Sequence, residues 1–85
     1  MASTYIFNGF AVDIYREHPC GQSREFQVTS IRKPGSDKVI MSLAVVAGWP
    51  DDNEFIDGRA LHGESVRWAR AETQKLAREL ETEAA

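Results

Sequence analysis

Apolar and polar residues alternate along the first half of the chain, and the alternation breaks at a few turn-forming clusters. The earliest is Phe7-Asn8-Gly9-Phe10, in which Asn-Gly supplies the two positive φ angles of a type I′ turn. It predicts a tight hairpin with strands at about 4–7 and 10–16. In the second strand Phe10, Val12 and Ile14 alternate with Ala11, Asp13 and Tyr15. The first set should face a core, and Asp13 makes the other face at least partly wet. His18-Pro19-Cys20-Gly21-Gln22-Ser23 reads as a turn. A third strand follows at about 24–32, with Phe26 and Val28 on its apolar side and Gln27 and Thr29 opposite. Beyond the turn Lys33-Pro34-Gly35-Ser36-Asp37 comes a fourth strand, at about 38–46. It is apolar on both faces, with Val39, Met41, Leu43 and Val45 on one and Ile40, Ala44 and Val46 on the other. Such a run suits a strand covered on both sides or paired at a partner's edge, and predicts the most buried strand of the sheet.

The second half changes period. An acidic loop at 47–58, Trp49-Pro50-Asp51-Asp52-Asn53-Glu54-Phe55-Ile56-Asp57-Gly58 at its centre, crosses from the sheet end to one face, with Phe55 and Ile56 dipping into the core. Val66, Ala69, Thr73, Leu76, Ala77 and Leu80 then recur at three and four residues, forming one stripe of a helix at about 60–82. Leu76 and Leu80 are expected to be mostly buried on it. Asp57 is a candidate cap, while Gly63 would cost about 1 kcal/mol in a helix interior. The start therefore falls between Gly58 and Glu64, and the helix is firm from Glu64 onward. The expected fold is α+β: a four-stranded antiparallel meander with one C-terminal helix packed on one face.

Composition narrows the class. A chain of 85 residues, 42% hydrophobic and 27% charged, suits a single domain, 1–85, with a small core. The net charge of -3 argues against a general polyanion binder, although residues 1–50 carry +1 and residues 51–85 carry -4. The longest nearly apolar stretch, Val39 to Trp49, is 11 residues, too short to cross a bilayer. No basic-then-apolar leader opens the chain, so a cytoplasmic protein is expected. A lone cysteine, Cys20, excludes an intrachain disulfide and every multi-cysteine metal framework.

Sites of known chemistry are matched only in fragments. His62-Gly63-Glu64 has the His-x-Glu half of a zinc deaminase site, but no cysteine follows to complete it. His18 and Cys20 provide two ligands where a stable site needs three or four. Asp51, Asp52, Asn53, Glu54 and Asp57 crowd oxygens into one loop, yet Phe55 and Ile56 stand where a calcium loop needs a ligand and a glycine. Gly9-Phe10-Ala11-Val12 matches a few positions of an RNA-recognition strand, with Asn8 in place of the base and Asp13 in place of the core valine. There is no phosphate loop and no nucleophile–histidine spacing. The expectation is a chain without catalysis, cofactor or metal.

The aromatic opening Tyr5-x-Phe7-x-Gly9-Phe10-x-Val12, a strand-rich middle and an Ala/Arg/Glu helix resemble a type of small uncharacterised proteobacterial protein. The resemblance spans the outline of the chain and implies the α+β outline, but no activity or site residue. The expected function is that of an interaction module binding a protein partner or itself. Trp49 and Trp68 are its candidate anchors, because tryptophan is enriched at interface hot spots. Tyr15, Ile40 and Val46 on the uncovered sheet face join them. The alternative is a nucleic-acid-binding module using the basic residues at the strand ends, Arg16, Arg24, Arg32, Lys33 and Lys38.

Overall fold

The computed structural model describes residues 3–18, 20–21, 23–46 and 52–84. Four strands, β1 (Ser3–Phe7), β2 (Phe10–Glu17), β3 (Phe26–Arg32) and β4 (Val39–Val46), form one antiparallel sheet in the order β1-β2-β3-β4. A second hairpin, β5 (Asn53–Ile56) and β6 (Arg59–His62), precedes the single helix α1 (Gly63–Ala84). The expected meander and C-terminal helix are present, and the small second sheet is additional.

Turn chemistry builds both hairpins. Asn8 and Gly9 have φ of 52° and 85°, and Phe7 pairs with Phe10 across them. Asp57 and Gly58 repeat the arrangement at 51° and 79°, with Ile56 paired to Arg59. Residues 53–56 are thus strand rather than loop, 57–58 are the turn of a hairpin, and 60–62 are strand rather than helix. Ile56 packs against the core, while Phe55 is 74% exposed because alternate residues of a strand point opposite ways.

Register decides which side chains enter the core. Tyr5, Val12, Ile31 and Met41 lie across the sheet in one row, and Ser3, Ile14, Thr29 and Leu43 in the next. Residues directly opposite share a face, so these rows carry the core beneath α1 and the β5–β6 hairpin. On β3, Gln27 and Thr29 accordingly turn inward and are buried, whereas Phe26 and Val28 are half-buried on the open face. A register shift after Ile31 sets Arg32 opposite Val39, moving Val39 to the open face.

Helix α1 starts where backbone constraints demand it. Gly63 donates its N–H to the Asp52 carbonyl at 2.8 Å, and a Cβ added there would meet Asp52 Oδ1 at 2.5 Å. Arg67 lies over the same spot, its Nη1 donating to Asp52 Oδ1 at 3.0 Å. A glycine at the first helical position replaces the expected costly glycine in the helix interior. Val66, Ala69 and Thr73 are fully buried, and Asn8 Nδ2 donates to Thr73 Oγ1 at 3.0 Å, tying the first turn of the sheet to the helix.

Twenty-two residues make α1 about 33 Å long, while the strands of seven or eight residues run about 25 Å. The β5–β6 hairpin takes part of the same face: His62 N–H reaches Gln27 Oε1 at 3.3 Å, and Arg59 Nη1 donates to Ser3 Oγ. The helix therefore outruns the sheet. Leu76 is half-buried against the core, but Leu80, expected to be mostly buried, is 42% exposed on the overhang.

Candidate interaction surface

Strand β4 is the edge of the sheet, not its most buried strand. Its residues alternate between exposed and half-buried, with Val39 at 49%, Ile40 at 40% and Val46 at 41% exposure. One flank of the strand is paired to β3 and the other to no described strand. The outer flank of an edge strand presents N–H and C=O groups to whatever approaches. From Val39 to Val46 there is no charged residue and no proline, the devices that usually discourage such pairing. The opposite edge, β1, has only five residues.

The open face next to this edge divides into two halves. Toward one end Tyr15, Val28 and Ala44 form one row, and Phe26 and Val46 the next. Phe26 and Val28 thus add apolar surface that their expected inward orientation would have removed. Toward the other end stands a polar cluster. Arg32 Nε donates to Asp13 Oδ2 at 2.6 Å and its Nη2 to Asp13 Oδ1 at 3.3 Å, while Thr4 Oγ1 donates to that same Oδ1 at 2.6 Å. The Arg32 hydrogen bonds hold the Asp13 carboxyl below the usual carboxylate range, against a smaller opposing effect of burial. Arg32 Nη1 also donates to the Ser36 carbonyl at 3.2 Å, fixing the β3–β4 turn.

Of the five residues expected to meet a partner, the four that are described separate in space. Ile40 and Val46 are exposed on β4 toward its two ends. Ile40 does not join the open face. The register shift beside it brings it to a shallow apolar groove with Phe10, Leu76 and Leu80 on the helix side. Tyr15 is half-buried two strands in from the edge, in the row that ends at Ala44. Trp68 is half-buried and packs against the core. Trp49 lies outside the described residues, as do Pro19, Gln22, Pro50 and Asp51.

The basic residues do not gather on one face. Arg16 and Arg24 lie toward the Phe26–Val46 end of the sheet, and Arg32, Lys33 and Lys38 at the opposite end. Arg32 is committed to Asp13, Arg16 faces Glu25 at 3.8 Å, Arg67 pairs with Asp52, and Arg70 reaches Glu54 at 2.7 Å. The Arg67 hydrogen bonds lower the Asp52 carboxyl as well. Among the described residues no group of three His, Cys, Asp or Glu side chains could hold a metal ion, and no helix is long and apolar enough to cross a membrane. Cys20 is exposed in the turn after β2, and His62 ends β6.

Comparison of the chain with protein-family models, with curated proteins and with solved structures returned no match.

Proposed function

We propose that this chain is a small, non-catalytic cytoplasmic interaction module that binds by strand addition at the β4 edge, taking a strand from a protein partner or from itself. The observation that carries this reading is an eight-residue, uncharged edge strand that leaves Val39, Ile40 and Val46 in water. Strand addition supplies main-chain hydrogen bonds for affinity and alternate side chains for selectivity. Here the alternate side chains would meet Met41, Leu43 and Val45 on the helix side and Ser42, Ala44 and Val46 on the open side. The unpaired, exposed Cys20 suits a reducing compartment.

The test is a two-dimensional amide NMR titration of dilute protein with a short peptide of alternating threonine and valine capped by lysines. Saturable shifts confined to 39–46 and to the facing residues of β3 are expected. Shifts only at β1, or none, would overturn the reading.

A further inference from the structure

The geometry points to a second site, a pocket between the end of β1 and the β5–β6 hairpin that takes a small organic monocarboxylate with an apolar body. β1 begins at Ser3, while β2 and β3 run on through the pairs Tyr15–Val28, Arg16–Gln27 and Glu17–Phe26. Arg59, Ala60 and Leu61 of β6 supply the other wall of a pocket of about 580 Å³. That lies within the range of small-molecule sites, roughly 300 to 1,000 Å³. Ile14, Leu61 and the Tyr5 and Tyr15 side chains make much of the lining apolar. No β4 residue belongs to it, so this site stands apart from the strand-addition reading.

Three elements supply hydrogen-bond donors to the residues of this lining. Gln27 of β3 is 2% exposed, and its Oε1 accepts the His62 N–H at 3.3 Å, which leaves both amide protons on Nε2. That Nε2 and the Oη of Tyr5 on β1, a residue 8% exposed, are buried and have no hydrogen-bond partner. Folded proteins pair the great majority of such groups, so two orphans in one lining ask for an explanation. Arg59 of β6 is exposed, and among the described residues its guanidinium meets the Ser3 hydroxyl and no carboxylate. Two guanidiniums, Arg16 and Arg59, against one carboxylate, Glu25, leave the lining positive in a chain of net charge -3. Donors and a cation together call for a negatively charged acceptor, and arginine matches a carboxylate with two parallel bonds. One arginine without a carboxylate balances a single negative charge, which fits a carboxylate better than a phosphate dianion. The ligand's carboxylate takes Arg59 from Ser3, loosening the tie between hairpin and β1. The hairpin then eases far enough for Gln27 Nε2 and Tyr5 Oη to reach the same anion, while the apolar body lies against Ile14 and Leu61.

An amide NMR titration of the full chain with sodium 3-phenylpropionate, against sodium chloride at equal ionic strength, reads the result. A ligand of this size should bind with a dissociation constant of roughly 1 to 10 mM. Saturable shifts are expected at 3–5, 14–16, 27 and 59–62, with 39–46 unchanged. The neutral 3-phenylpropionamide should bind about tenfold more weakly, because the charge is gone. Arg59→Gln and Tyr5→Phe should each weaken binding of the acid about tenfold. Tyr5→Phe removes a hydroxyl that has no partner in the fold, so thermal melts should find it at least as stable as the parent. No saturable shift up to about 50 mM, or shifts centred elsewhere, would overturn the assignment. So would an amide that binds as tightly as the acid, or either variant binding as the parent does. A Tyr5→Phe protein that melts earlier would show the hydroxyl already satisfied within the fold, and overturns it too.

Discussion

The seating of α1 is best probed by comparing two truncations, Val66→Ala and Leu76→Ala, of which the one removing fewer atoms should cost more. Val66 is fully buried in the first turn of the helix, whereas Leu76 packs one side against the core and keeps the other in water. Val66→Ala deletes two carbons, a loss of about 1.6 kcal/mol at roughly 0.8 kcal/mol per buried methylene. The site is sealed, so about 50 Å³ persists as a cavity and adds about 1 kcal/mol. Alanine's better helix propensity offsets about 0.5 kcal/mol, for a net cost near 2 kcal/mol. Leu76→Ala deletes three carbons, about 2.4 kcal/mol if wholly buried, but the partly wet side chain reduces this and the space opens to solvent, for about 1.3 kcal/mol. In a domain this small the melting temperature should fall by roughly 8 to 16 °C for Val66→Ala and 5 to 10 °C for Leu76→Ala. Thermal and urea melts followed by circular dichroism, at concentrations too low for association, measure both. A Leu76→Ala protein less stable than Val66→Ala, or a Val66→Ala protein that melts like the parent, would refute this placement of the helix.

Three further outcomes can be checked on the same footing. Asp13 has a lowered pKa in the folded state, so its contribution is complete above the unfolded carboxylate pKa and is lost as pH falls through the folded one. Asp13→Asn should be less stable than the parent at pH 7, with the two stability curves converging in acid; curves that stay parallel down to pH 2 would contradict the network. Thr29 is fully buried and its Oγ1 has no hydrogen-bond partner among the described residues. Thr29→Val should therefore raise stability by about 1 kcal/mol in urea melts, and a loss would mean that the hydroxyl is satisfied. Gly58→Ala places a side chain at a φ of 79°, at a cost of about 1 kcal/mol. Hydrogen exchange should then speed up at 53–62 while β1 to β3 keep their protection, and uniform acceleration would show that the second hairpin is not a separable unit.

What could be read from the residues was the local part of the fold. Asn8-Gly9 and Lys33-Pro34-Gly35 announce turns by backbone chemistry alone, and the long helix announces itself by its period. Asp57-Gly58 carries the same turn signal as Asn8-Gly9, but strands of four residues are too short to display alternation, and the acidic residues around them read as loop. The facing of β3 went against hydrophobicity because Ile31 is out of phase with Phe26 and Val28. Pairing of Ile31 with Val12 settles the conflict, and Thr29 and Gln27 follow it inward. The burial expected of β4 is not found, because two apolar faces look the same in a central strand and in an edge strand. Nothing local encodes strand order. For the same reason the pattern puts Ile40 and Val46 on one face, whereas both are exposed but Ile40 lies in the groove on the helix side, which depends on a register shift. Leu80 fits the stripe and still emerges from the core, because the stripe carries no information about where the sheet ends.

The overhang of α1 also bears on how this protein responds to warming. Past Leu80 the helix has no sheet beneath it, its last turn has no basic residue to meet the negative end of the dipole, and Glu79 and Glu81 add charge of the unfavourable sign. Helicity there rests on the intrinsic preference of two glutamates, a threonine and an alanine, and a short unsupported stretch of that kind is marginal in water. That final turn will unwind gradually over tens of degrees, ahead of and independently of the cooperative loss of the sheet. In a far-ultraviolet melt it contributes a sloping native baseline, so the apparent helix content at 5 °C and at 40 °C will differ slightly in a protein whose sheet is folded at both.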